Sequence, residues 1–486
     1  MAIAVLALIT ATPAFAGTTA VTDDRAVGEA AIYKAGLTLA SFSSFAAVLD
    51  ELQDIADDLV AANQARGGVF RVNTTNDTVD IAIGDGRCRD ANGRCSLRAA
   101  VQEANARGGG TIVLQRNATY LLTIAGAGED NAATGDLDVL GDISISGRGS
   151  VVDANDLDRA FDVVLGAALS VDQLVVTGGF VTDANGGAYR SDGSLAIASS
   201  GIFGNTAEGE GASGGAIVNN LGSLDVSGSE ISGNTASRAG GGIEAVGGST
   251  DLDQVELDGN STGVNPGNGG GLHLTGEGDV TVSDSVVTNN FAAAEGGGLW
   301  NSAVGTMTVT NTVVSFNAAA GNDADQGGGG LFNDGGTLVV SGGLIEGNQA
   351  TGTSGSGGGL LNNLGTLDIA RTVVRGNDAT RAGGGIEAVA GSTNLFRVEL
   401  DANTTGDNPG NGGGLHLTGA GVVTIRNSVV TNNIAANEGG GLWNSATGTM
   451  TVVNTVIAGN QAPVGPNVFN DGGTFTIDGV PVPPGP

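Results

Sequence analysis

A glycine run ending in a single aliphatic residue recurs along this chain, with an asparagine 9 to 14 residues ahead of it. The aliphatic residues are Ile217, Ile243, Leu272, Leu299, Leu331, Leu360, Ile386, Leu415 and Leu442, with Val468 closing a last, glycine-poor unit. Their spacings run from 26 to 32 residues, and residue n matches residue n+143 from Asn205 to Asn317. A unit of this size cannot bury its own apolar face, so such a period demands a solenoid in which each coil stacks on its neighbours.

Within a unit the pattern is that of short strands. In Gly296–Asn317, the alternation puts Leu299, Met307, Val309 and Val313 inward, with turns at Asn301–Gly305 and around Asn311. Stacked coils then pair equivalent strands in parallel at ~4.8 Å. Ten asparagines form one column: Asn205, Asn234, Asn260, Asn289, Asn317, Asn348, Asn377, Asn403, Asn432 and Asn460. Asparagine tolerates the left-handed conformation of a tight corner, and stacked amides can bond to one another. Asn219, Asn301, Asn333, Asn362, Asn444 and Asn470 read as a second such column.

The chain carries a net charge of −32, and Lys34 is its single lysine. No basic stripe exists to neutralise phosphates, which excludes nucleic acid as a partner and disfavours anionic membranes. Residues 1–16 read as a signal peptide, which places the protein outside the cell or on the outer cell surface of a bacterium. In that compartment Cys88 and Cys95 read as a structural disulfide, because metal binding would need more ligands nearby. Within residues 17–68, an amphipathic helix is expected over 44–64, where Phe45, Val48, Leu52, Ile55 and Leu59 share one face. No later segment has the ~18 apolar residues of a membrane span.

From residue 69 the pattern turns to strands, with one helical stretch, Cys95–Ala106, for which Ser96 is the expected N-cap. The segment GDGRCRDANGRCSLRAAVQEAN (Gly84–Asn105) resembles the cysteine-serine-leucine-arginine-glutamate-alanine (CSLREA) domain of secreted bacterial β-helix proteins. Thr111–Thr123, Gly135–Gly149 and Asp153–Val163 are similar to that family's next coils. Ala99 stands where the family has glutamate, which removes the capping-box partner of Ser96. The resemblance implies export and a right-handed parallel β-helix, with no defined catalytic activity. The later coils, as in Gly214-Gly215-Ala216-Ile217, more loosely resemble the repeats of polymorphic outer-membrane proteins.

The expected architecture is therefore all-β: a parallel β-helix with an N-terminal capping helix and a preceding amphipathic helix. Residues 69–165 form the cap and first coils, 166–480 the β-helix with its duplication, and 481–486 a proline-rich tail.

One column is not demanded by this framework. The residue after each glycine-run aliphatic residue points away from the core, and both histidines and both tryptophans of the chain lie there. It reads Glu244, His273, Trp300, Phe332 and, one duplication later, Glu387, His416, Trp443, Phe469. Outward aromatic rings could stack on a sugar or anchor a partner protein, so these eight residues are the expected binding residues. No catalytic or metal-binding residues are expected, and no cofactor beyond calcium held loosely by the Asp323/Asp325 loop. The leading functional expectation is a non-catalytic surface scaffold for adhesion, assembly or binding of a glycan or surface protein. The runner-up is a polysaccharide lyase or hydrolase, which would need a groove with convergent carboxylates. The third is the passenger of an autotransporter.

Overall fold

The computed structural model describes residues 68–485. The signal peptide and the helix expected over 44–64 lie outside the described residues. The rest is a parallel β-helix of three sheets, with 27, 13 and 9 strands. We call them sheets 1, 2 and 3. One coil shows the plan. Leu299–Asn301 lies in sheet 2, Thr306–Thr310 and Val313–Ser315 in sheet 1, and Ala318–Ala319 in sheet 3. Each strand pairs in parallel with its equivalent in the next coil, as Leu299 does with Leu331 and Met307 with Leu338. Leu299, Met307, Val309, Val314 and Ala319 are each at most 1% exposed and fill the core of this coil.

Val313, expected inside, is instead half-buried on the outer face. The cause is Asn311, whose φ is +50°. A left-handed residue breaks the two-residue alternation and shifts its phase by one, so that Thr312 and Val314 turn inward.

The same slip corrects the asparagine column. At positions 204, 233, 259, 289, 316, 347, 376, 402, 432 and 459 the chain takes a positive φ, and the residue after each of these is the buried asparagine. The ladder therefore contains Asn290 and Asn433, while Asn289 and Asn432 are the left-handed corner residues, bonded outside to Asp258 and Asp401. Each buried amide is fully used. Asn260 donates from Nδ2 to Asn290 Oδ1 (3.0 Å) and to Ile231 O (2.9 Å), and its own Oδ1 accepts from the backbone N–H and Nδ2 of Asn234. Asparagine is required there because it supplies two donors and a two-fold acceptor on one short arm. The second column forms shorter runs, Asn301→Asn333→Asn362 and Asn444→Asn470, at 2.7 to 2.9 Å.

The N-terminal end is closed by α1 (Leu97–Ala106), and Ser96 caps it by accepting from Ala99 N–H at 3.0 Å. Cys88 and Cys95 form the expected disulfide. Arg98 of α1 is fully buried, paired with Asp77 at 2.7 Å. At the other end, Val480–Pro481 turns back antiparallel on Thr474–Ile477, and Gly485 N–H bonds Asn470 O. Among the described residues no helix is long and apolar enough to cross a membrane.

Candidate functional sites

Sheet 2 carries the expected column in unbroken register. His273 pairs with Glu244 and Trp300, Trp300 with Phe332, and the second copy repeats the order Glu387, His416, Trp443, Phe469. His273 Nδ1 lies 3.0 and 3.2 Å from the two oxygens of Glu244, and His416 Nδ1 2.9 and 3.1 Å from those of Glu387. Thr275 and Thr418 hydroxyls donate to the same glutamates. Each imidazole stacks on its tryptophan at 4.3 Å between centroids, and each tryptophan on its phenylalanine at 6.2 to 6.3 Å.

The expectation that these rings are presented to a partner is corrected by their burial. None of the eight exceeds 8% exposure. The chain leading into each glycine run folds over them: Glu295 accepts the Trp300 indole N–H and Glu438 that of Trp443, both at 3.0 Å. Arg238 and Arg381 approach Glu244 and Glu387 at 4.0 and 3.8 Å. Two aromatic rings under a loop are satellite core, and a buried Glu–His pair is satisfied without a ligand. Burial pushes Glu295 up to about 7, reinforced by the charges of Asp334 and Asp325 and opposed by the Trp300 and Asn268 donors.

Followed toward the N-terminus, the column continues through Val218 to Arg190, Asp162 and Asp138. Here Asp136, Asp138 and Asp162 bring carboxylate oxygens within 4.8 Å of one another, close enough to hold a metal ion. The cap helix positions them. Arg98 donates to the carbonyls of Ala132, Gly135 and Asp136, and Asn105 bonds Asp138 O and Leu140 N–H. Arg159 bridges Asp136 and Asp162 at 3.1 and 2.9 Å, and Arg190 reaches Asp162 at 3.0 Å. Burial pushes Asp136 up to about 8, with the Asp158 charge adding and Arg159 opposing. Burial also raises Asp138 to about 7, against the Ala132 N–H donor. Sequence reasoning missed this group, although Leu137-Asp138-Val139 and Phe161-Asp162-Val163 repeat the strand pattern of Leu272-His273-Leu274.

The second missed site is a groove on sheet 1, where the two strand segments of each coil meet at their left-handed residue. It is an open, shallow depression of about 550 Å³, lined by Phe203, Glu230, Gln254, Glu256, Asp284 and Val286 over a floor of serines. The serine hydroxyls are spent on the bend itself: those of Ser200, Ser229 and Ser285 donate to the carbonyls of Ala198, Ser227 and Ser283. The carboxylates face out. Gly201, Glu230 and Glu256 are register partners on three successive strands, and both glutamates are exposed. A Cβ at Gly201 would collide with the ring of Phe203, so the glycine lets that ring lie back over the sheet beside Glu230. The signal was in the sequence. Glu230 and Glu256 each stand four residues before a ladder asparagine, Asn234 and Asn260.

No family model and no curated protein matches the chain. Among solved structures it is similar to the A-module of a mannuronan C-5 epimerase from Azotobacter vinelandii, at 14% identity and a TM-score of 0.42, over 82% of this chain and 99% of that one. It is similar to the Dettilon tailspike protein at 12% identity and a TM-score of 0.33, over 83% of this chain and 68% of that one. A tailspike protein of an E. coli bacteriophage in complex with a pentasaccharide matches at 14% identity and a TM-score of 0.31, over 83% and 78%. At these values the likeness is one of fold. The leading expectation of a non-catalytic adhesion or assembly scaffold is corrected nonetheless. What sets it aside in favour of the runner-up is the sheet 1 groove, with two exposed glutamates in register on adjacent strands.

Proposed function

We propose that the protein is a carbohydrate-active β-helix protein whose sheet 1 groove takes a glycan segment, with Glu230 and Glu256 as the carboxyl pair that cleaves it. The observation that carries this reading is the register of the two glutamates on adjacent strands within one groove. Strands ~4.8 Å apart set two carboxyl groups near the ~5–5.5 Å separation used by glycosidases that retain configuration. In that chemistry one carboxyl protonates the glycosidic oxygen while the other attacks the anomeric carbon. Water then displaces the sugar, and the proton donor recovers its proton from that water. The Phe203 ring, laid back over Gly201, supplies an apolar face for a sugar ring.

Export belongs to the same proposal. It is supported by the Cys88–Cys95 disulfide, a bond suited to an oxidising compartment, and by the likeness of Gly84–Asn105 to the CSLREA domain.

The test is release of reducing ends from a panel of polysaccharides. Glu230→Gln and Glu256→Gln are each expected to lower kcat by about 10³-fold, the order lost with an acid–base or nucleophilic group, while the glycan is still bound, at most several-fold more weakly. Activity that survives both substitutions, or a panel that is neither bound nor cut, would overturn the proposal.

A further inference from the structure

We infer that the groove selects glycans bearing free amino groups, that is, cationic amino-sugar polymers, over neutral or uronate-containing ones. This rests on the reading of the groove as a glycan site and names its substrate class. The groove's ionisable lining is entirely acidic: Glu230, Glu256 and Asp284. Its rims extend the same charge. Asp225 and Asp251 are exposed register partners on one side, Asp253 follows on that strand, and Asp258 lies beyond Glu256 on the other.

No lysine or arginine lines the groove. Arg190 and Arg238, in the coils beside it, are committed to the other face, at Asp162 and Glu244. A uronate chain would bring its carboxylates against this row with nothing to neutralise them, and like charges at such spacing repel. A neutral sugar would leave the row solvated and gain only the Phe203 contact. An ammonium on each sugar would meet a carboxylate at nearly every strand, since the column repeats at ~4.8 Å.

The second half keeps acidic counterparts to Glu256, Asp225 and Asp258 in Glu399, Asp368 and Asp401, but it loses the paired glutamates and gains arginines. The equivalent columns of the second half hold Val373 for Glu230, Arg397 for Gln254 and Asn427 for Asp284, and Arg397 lies over the Phe396 ring at 5.0 Å. Arg371, Arg375 and Arg426 stand around it on the same sheet.

The experiment measures binding of three probes by calorimetry: glucosamine oligomers with free amines, the same oligomers fully N-acetylated, and uronate oligomers of equal length. The free-amine oligomer is expected to bind about tenfold or more tightly than the N-acetylated one. Several partly exposed ion pairs, each of modest worth, together suffice for that ratio, and rising salt should erode it. The uronate oligomer should not bind. Glu256→Gln and Asp284→Asn, both at exposed positions, should each weaken free-amine binding several-fold, whereas Glu399→Gln in the second half should not.

Equal or tighter binding of the N-acetylated or uronate oligomer overturns the inference while leaving a glycan site in place. An equal loss from Glu399→Gln also overturns it, because attraction would then be non-specific. Binding of none of the three, with no activity on the wider panel, sinks the glycan reading itself.

Discussion

The two halves of the 143-residue duplication share their framework and differ in their groove. Asn260 and Asn403, His273 and His416, Trp300 and Trp443 occupy the same places with equivalent partners, and Met307 and Met450 are both buried in the core. On the bend of sheet 1 the halves part. Asp251, Asp253, Glu230 and Asp284 face Asn394, Phe396, Val373 and Asn427. Positions that must satisfy a buried amide or fill a roofed stack cannot drift without destabilising the coil. Groove positions touch solvent and can. The Glu-His-Trp-Phe column, which looked like the chemistry of the molecule, behaves as framework, and the half that kept its paired glutamates is where function is sought.

The largest test of this contrast is a ladder substitution in each half. Asn260→Ala and Asn403→Ala each strand the hydrogen-bonding groups of the asparagines before and after them. Each is expected to cost about 2–4 kcal/mol, the sum of one or two unmet buried polar groups and a small cavity. Urea unfolding followed by circular dichroism reads this out, and the two variants should agree within about 1 kcal/mol, since they remove the same bonds. A large difference would mean that the two frameworks are not energetically equivalent.

How far the sequence reached follows from the same corners. The repeat declared a stacked solenoid, and the cap helix and disulfide lay where their residues implied. Phase within a coil was harder to read. Where a glycine such as Gly259 takes the left-handed corner, the asparagine after it is the single candidate for the ladder; where Asn289 takes it, two adjacent asparagines compete and the ladder amide belongs to the second, Asn290. Val313 faces outward for the same reason, two residues past such a corner at Asn311. The burial of Trp300 was beyond reach because its cover comes from Glu295, in a loop whose path only tertiary packing sets. The groove lay within reach, since Asn234 and Asn260 belong to the ladder on either reading and Glu230 and Glu256 stand four residues before them in one outward column.

Intermediate in size is the effect expected at Gly201. Gly201→Ala places a methyl group against the Phe203 ring and must lift it from the sheet. Affinity for the bound glycan should fall about threefold to tenfold, the worth of one aromatic contact. Thermal stability should change little, because Phe203 is only half-buried. Leu344 already occupies the matching place in the second half, where Glu346 replaces the aromatic ring. Restoring affinity by pairing Gly201→Ala with a smaller stacking residue at position 203 would show that ring placement is what was lost. Unchanged affinity in the single variant would remove Phe203 from the site.

The smallest effect separates the two stacks by their surroundings. Glu295, held by Trp300 and Asn268, is pushed up to about 7 by burial, and the charges of Asp334 and Asp325 add to the shift. Its ordinary value is 4.5, so between 4.5 and about 7 the folded chain binds a proton that the unfolded chain has released. Stability contributed at this site is therefore greatest at acid pH and declines as pH rises through that window. The chain has two tryptophans, so Trp443→Phe leaves Trp300 as a single fluorescent reporter. Its emission should titrate with a midpoint near pH 7 as the carboxyl that accepts its indole N–H ionises. Glu295→Gln should abolish the transition, and Asp325→Asn or Asp334→Asn should lower its midpoint by a fraction of a unit, each removing one like charge. A midpoint that ignores both aspartates would leave desolvation as the sole cause of the shift at Glu295.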